Sequence, residues 1–144
     1  HVEGLRTVLD EFERRVADEM DFRQEARYAQ QVRANFAGTP GVRVPEVLPA
    51  WVRQRALVLE YVEGARVDRL DAWIAEGRVS ADGVLRTIME LYVRMMLVDG
   101  LFHADPHPGN ILVDPQGRVV LLDFGMVVEV PVELRRALVR TVFA

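Results

Sequence analysis

Cysteine and lysine are both missing from this chain of 144 residues, and all 18 of its basic residues are arginine. Without cysteine there is no disulfide and no thiolate metal site, so any bound metal must be held by oxygen or imidazole. No apolar run approaches the roughly 20 residues needed to cross a bilayer as a helix. No glycine-rich phosphate-covering loop, internal repeat or low-complexity linker is present. The net charge of -4 gives no general support for nucleic-acid binding, and no nucleic-acid partner is expected. Half of the residues are hydrophobic, enough for a real core in one modest domain or a piece of a larger one. Because residue 1 is His, the native start is expected to be missing.

What is present is polar and closely spaced. Residues 100–113 read Gly-Leu-Phe-His-Ala-Asp-Pro-His-Pro-Gly-Asn-Ile-Leu-Val, and Asp123-Phe124-Gly125 follows. An acid, an amide five residues on and a second acid ahead of Phe-Gly form the polar set used for phosphoryl transfer. A triphosphate brings dense negative charge that magnesium must neutralise, and magnesium takes hard oxygen ligands. Asn110 and Asp123 supply such oxygens. Asp105, left off the metal, orients the attacking group or takes its proton. The apolar runs 111–113 and 119–122 flank Asp114-Pro115-Gln116-Gly117, a turn in which Pro presets one dihedral and Gly accepts a positive one. This pattern predicts a hairpin that brings Asn110 and Asp123 close together.

The rest of the chain gives an α+β order. Leu5, Leu9, Phe12, Val16 and Met20 step at helical spacing, and Ala26, Ala29, Val32 and Phe36 continue after a change of phase at Asp21. Asp21 with Gln24 resembles a capping box, which predicts two helices meeting there, with one kinked helix as the alternative. Gly38-Thr39-Pro40-Gly41 ends the helical part. The stretches 42–44, 46–51 and 56–61 are β-rich and broken by Pro45, Pro49 and Arg53-Gln54-Arg55; they are expected to form a small antiparallel sheet. A short helix over 70–76 ends at Gly77, and Ser80 caps a longer one running to about Asp99. Its apolar positions Val84, Leu85, Ile88, Leu91, Tyr92, Met95, Met96 and Val98 cover so much of the circumference that burial on most sides is expected. Met89, Met95, Met96, Trp73 and Phe36 are expected in the core, and Trp51 at the surface or between lobes. Pro131-Val132-Glu133 starts a last helix with Leu134, Leu138 and Val142 on one face.

Taken together, these residues resemble the UbiB-like atypical kinases, also called the ADCK family. Glu19-Met20-Asp21-Phe22-Arg23-Gln24-Glu25-Ala26 is similar to the family's Glu-x-Asp motif and following helix. Leu59-Glu60-Tyr61-Val62-Glu63-Gly64 resembles its hinge, and residues 102–112 with 123–126 its catalytic and metal loops. The resemblance spans nearly the whole chain. It implies a protein-kinase-like fold, with a partial small lobe at 1–62 joined by the hinge to the first half of a mainly helical large lobe at 63–144. It also implies ATP and magnesium as cofactors, and ATPase or small-molecule- or lipid-directed kinase activity serving ubiquinone and other isoprenoid-lipid biosynthesis. Partners would be isoprenoid-lipid or quinone-pathway enzymes and a membrane surface reached through segments outside this chain, at a bacterial cytoplasmic membrane face or in an organelle.

Position by position, the resemblance makes Asp105 the catalytic acid and Asn110 and Asp123 the magnesium ligands. Glu25 matches the helix glutamate that pairs with a strand lysine. Glu19, with Asp21 the second acid of its motif, matches the glutamate that pairs with an N-terminal Lys-x-Gly-Gln segment. Backbone groups of Glu60 and Val62 in the hinge would bind adenine. Neither lysine is present, nor is the family's alanine-rich loop, so the chain reads as a fragment beginning after them and inactive alone. Ala104 stands where many kinases have Arg, and the segment after Gly125 is too short for a long activation loop.

Three rival readings are open to the same residues. Aminoglycoside and choline phosphotransferases also use a His-x-Asp-x-His-x-x-Asn loop, although Pro106 and Glu19-Met20-Asp21 favour the UbiB-like pattern. A non-catalytic pseudokinase scaffold would bind nucleotide without turnover. Alternation of His103, Asp105 and His107 is the spacing of a zinc site on a strand, but Pro106 and Pro108 argue against a regular strand. His103 is expected to brace the loop by hydrogen bonding instead.

Overall fold

A computed structural model describes residues 21–142. The helical pattern over 2–20, and Glu19 with it, lies outside the described residues. Helix α1 (Phe22–Asn35) begins at Asp21, whose side chain accepts the Arg23 backbone N–H at 3.1 Å and the Arg23 guanidinium at 2.9 and 2.7 Å. The predicted start is therefore found, but the cap is not a reciprocal box. Arg23 holds the carboxylate, and the Gln24 N–H goes to the Asp21 carbonyl instead. Ala26, Ala29 and Val32 are the residues α1 buries, a stripe at three-residue steps.

The antiparallel sheet expected over 42–61 does not form. Strand β1 (Val42–Arg43) instead lies parallel to β5 (Val119–Leu121), with Val42 opposite Val119 and Arg43 opposite Val120. Between residues 46 and 60 only isolated bridges remain, Val47 to Leu59 and Arg53 to Ala56, and Pro49–Trp51 is a 3₁₀ turn. Proline explains the loss. Pro45 and Pro49 have no N–H to give to a ladder, so neither flank extends into a paired strand.

Four strands make one sheet in the order β1, β5, β4, β2, where β2 is Ala65–Arg66 and β4 is Ile111–Val113. The predicted hairpin is β4 with β5. Its turn closes through Gly117 N–H to the Asp114 carbonyl at 2.8 Å, with Gly117 at φ 77°. That left-handed value is what the sequence expected of glycine here. Gly64, leaving the hinge, is required for another reason. A Cβ there would stand 2.7 Å from the Val113 carbonyl oxygen, so only glycine lets the chain run against β4.

Helix α2 (Asp71–Ala75) precedes α3 (Ala81–Arg94), which the Ser80 hydroxyl caps on Gly83 N–H at 3.3 Å. A π turn, Met95–Asp99, completes α3, and Gly100 at φ 70° stops it. The expected burial of this helix on most sides is not observed. Val84, Leu91 and Met95 are buried, while Leu85, Met89, Val93 and Val98 are each more than half exposed. Described elements pack on one stripe only, so Met89 is not a core residue; Met95 and Phe36 are. Trp73 is partly buried beneath the Arg78 guanidinium, and Trp51 is exposed. Strand β3 (Leu101–His103) pairs antiparallel with β6 (Val127–Glu129), and α4 (Val132–Val142) follows.

Candidate functional site

Strand β3 delivers His103 to the interior and releases the chain into the loop carrying Asp105. The Ala104 N–H donates to the Met126 carbonyl at 2.7 Å, tying that loop to the segment after Asp123. His103 Nε2 hydrogen bonds to the Asp123 carbonyl. A carbonyl only accepts, so Nε2 carries the proton and Nδ1 is left to accept from the Tyr92 hydroxyl, 3.4 Å away. The imidazole also stands edge-on to Phe124, with ring centres 5.9 Å apart at 81°. His103 is thus a brace, as the sequence predicted.

This geometry takes His103 out of the zinc reading. Both nitrogens of His103 are engaged, and His107 Nδ1 accepts the Gly109 N–H at 3.1 Å. Among the described residues no three His, Cys, Asp or Glu side chains are grouped to hold a metal.

Asp105 and Asn110 meet directly. Asn110 Nδ2 donates to Asp105 Oδ2 at 2.9 Å, which turns the amide oxygen away from the carboxylate. A 3₁₀ turn, Pro108–Asn110, sets Asn110 at the mouth of β4. The Leu122 N–H then donates to the Asn110 carbonyl at 3.0 Å, continuing the register in which Ile111 faces Leu121. Asp123 is the next residue, so the hairpin brings Asn110 and Asp123 to the same end. Asp123 Oδ1 accepts the Gly125 N–H at 2.8 Å, and Oδ2 has no hydrogen-bond partner among the described residues. Burial and the charge of Asp105 push the Tyr92 phenol up to about 12, so it remains a neutral donor.

Glu25 reaches the same turn from α1. Its Oε1 accepts the Phe124 N–H at 3.4 Å, and its Oε2 lies 3.8 Å from where a Cβ on Gly125 would stand. Burial, with a smaller push from the Asp123 charge, raises the Glu25 carboxyl above its ordinary value despite the Phe124 hydrogen bond. Two acids face one turn with no ion pair to either among the described residues. Asp21, at the head of α1, is occupied differently: the Arg23 side chain holds its carboxyl at about 2.

At the hinge, the Glu60 N–H donates to the Glu46 carbonyl at 2.7 Å. Neither the Glu60 carbonyl nor the Val62 N–H has a backbone partner among the described residues. The Glu60 carboxylate accepts the Glu46 N–H at 3.1 Å and the Arg43 guanidinium at 2.6 Å, which together hold it below the usual range against partial burial.

Arg43, Tyr92 and Asp114 were not singled out by the sequence as anything but strand, core and turn. Asp114 is fully buried, and its carboxylate accepts the Gln116 and Arg118 N–H groups at 3.0 and 2.9 Å and the Arg118 guanidinium at 2.7 Å. Burial alone would raise it, but these donors win and lower it. The one sequence signal was an acid four residues before an arginine across a predicted turn.

A helix bearing a glutamate, a hinge, a long helix, an acid-and-amide loop and a hairpin running into Asp-Phe-Gly define a protein-kinase-like α+β domain. The chain belongs to the ABC1 atypical kinase-like domain family, whose model matches residues 1–144. It is 38% identical over 140 residues to the uncharacterized protein sll0095 of Synechocystis, covering 97% of this chain and 24% of that protein. With Protein ACTIVITY OF BC1 COMPLEX KINASE 3, chloroplastic, of Arabidopsis thaliana it shares 37% identity over 133 residues, 92% of this chain and 19% of that one. Among solved structures, Rv3197 of Mycobacterium tuberculosis, in complex with erythromycin, matches with a TM-score of 0.62 and 28% identity over 86% of this chain and 31% of that chain. The chain therefore spans about a fifth to a quarter of the length of these curated relatives.

Proposed function

We propose that this chain forms the nucleotide and metal site of an atypical kinase or ATPase that uses ATP with magnesium. One observation carries the reading: Asn110 is locked by its amide nitrogen to Asp105 at the end of the hairpin that also presents Asp123. That arrangement leaves one amide oxygen and one carboxylate oxygen uncommitted, hard ligands of the kind magnesium takes. Asn110 and Asp123 would hold the cation, which when bound neutralises phosphate charge and acts as a Lewis acid. Asp105 orients the acceptor hydroxyl or water and accepts its proton. His103 fixes Asp123 through its backbone carbonyl, so the carboxylate is placed by the buried core rather than by the exposed loop. The Glu60 carbonyl and the Val62 N–H offer an acceptor and a donor to the edge of adenine.

Glu25, drawn into the turn beside Asp123 with no cationic partner among the described residues, serves as the partner of a basic side chain supplied from outside them. Glu19 does the same for the family's Lys-x-Gly-Gln segment, and Asp21 supports it by capping α1. Service to ubiquinone or other isoprenoid-lipid biosynthesis, with quinone-pathway enzymes and a membrane surface as partners, rests on the family resemblance. The full-length protein is expected to release ADP from ATP only when magnesium is present. A coupled ADP-release assay with and without chelator checks this, and a rate indifferent to chelation overturns the reading.

A further inference from the structure

Beyond the pairing of β2 with β4, one side chain links the hinge at Glu60 to the hairpin that carries Asn110 and Asp123. Arg43 is the second residue of β1, its backbone set opposite Val120, three residues before Asp123. Its Nη2 lies 2.6 Å from Glu60 Oε1, and its Nη1 lies 3.6 Å from Asp114 Oδ2. Glu60 is in turn fixed to the Glu46 N–H, and buried Asp114 to Arg118 and the turn backbone. A chain of charges therefore runs Glu60, Arg43, Asp114, Arg118, from the hinge to the loop that closes β4 on β5. A planar guanidinium can serve two carboxylates at once, whereas an ammonium is a single point charge.

We infer that Arg43 is a positioning residue for the nucleotide, setting the hinge backbone at Glu60 at a fixed distance from the hairpin that ends in Asn110 and Asp123. This rests on the nucleotide reading above and adds to it the residue that makes base and phosphate recognition one rigid unit. Arg43 contacts Glu60 and Asp114 and is itself neither of the proposed adenine contacts nor a proposed metal ligand. Its removal cuts the link from Glu60 to the hairpin and leaves Glu60 held only by Glu46, while the hairpin turn stays pinned by Arg118. Base recognition is then weakened and phosphate recognition is spared.

The test compares magnesium-dependent binding of ATP and of inorganic triphosphate by the full-length protein. Arg43→Met is expected to lose about tenfold in ATP affinity, the worth of one hydrogen bond to the base, and to bind triphosphate as before. KM for ATP rises with little change in kcat. Arg43→Lys recovers part of the loss, and Glu60→Gln, which keeps the shape of the side chain, reproduces its direction. Arg33→Ala, which removes a surface pair with Glu46 at 3.5 Å, changes neither ligand. If Arg43→Met weakens both ligands alike, or lowers only the unfolding midpoint, Arg43 is merely structural and the inference is overturned. A wild-type protein that binds neither ligand with magnesium overturns the nucleotide reading itself, a different result.

Discussion

Asp123→Asn is expected to abolish most magnesium-dependent turnover while leaving the chain folded. Asp123 Oδ1 accepts the Gly125 N–H at 2.8 Å, and an amide oxygen repeats that contact. What is lost is a unit of negative charge and, on the function proposed above, an anionic ligand of the cation. Loss of metal stabilisation lowers the rate by roughly 10²-fold or more and raises the magnesium concentration needed for half-maximal activity. Asp105→Asn separates binding from chemistry. Its new amide oxygen can still accept from Asn110 Nδ2, which donates to Asp105 Oδ2 at 2.9 Å in the unsubstituted chain, but it no longer takes a proton. For this variant kcat should fall by about 10²- to 10⁴-fold with the affinity for magnesium and ATP retained. Magnesium titrations of initial rate for the two variants distinguish these outcomes. An Asp123→Asn protein with wild-type magnesium dependence contradicts the ligand assignment.

Phe124→Ala should cost about 3–5 kcal/mol of stability, the range for deleting a fully buried aromatic side chain. Phe124 is entirely buried in the cluster that includes Leu91, Met95, Leu101 and Leu121. It also stands edge-on to His103, whose Nε2 holds the Asp123 carbonyl. The cavity therefore opens directly behind the turn that carries Asp123. Urea unfolding of the wild type and the variant measures the difference, and a loss below about 1 kcal/mol would show that Phe124 does not anchor the core.

The parts of this fold that were legible in the sequence are those set by local chemistry. Asp114-Pro115-Gln116-Gly117 specifies its turn whatever surrounds it, and the register it imposes brings Asn110 and Asp123 together. Asp21 marks the head of α1, because a side-chain acceptor at a helix start acts within its own turn. Ser80 and Gly100 bound α3 and its π turn for similar reasons. What was not legible depended on partners distant in the chain. Strand β1 pairs with β5 across the hinge, and nothing in Val42-Arg43 announces a parallel neighbour at Val119-Val120. Apolar residues on α3 gave its periodicity but not its burial: Met89 and Val93 are more than half exposed, and so is Leu85, although it borders a cavity shared with Leu70 and Ile74. Arg43 and Asp114 read as ordinary strand and turn residues; only the folded chain sets one guanidinium between the hinge and the hairpin.

The central claim is that Asn110 and Asp123 hold one divalent cation while Asp105 stays free of it. The most direct measurement is a crystal structure of the full-length protein with magnesium and a non-hydrolysable ATP analogue. The account predicts the Asn110 amide oxygen and an Asp123 carboxylate oxygen at about 2.0–2.1 Å from a single cation, with Asp105 facing the γ-phosphate and outside the coordination shell. A cation held by other residues, or one bound to Asp105 with Asn110 turned away, would contradict it.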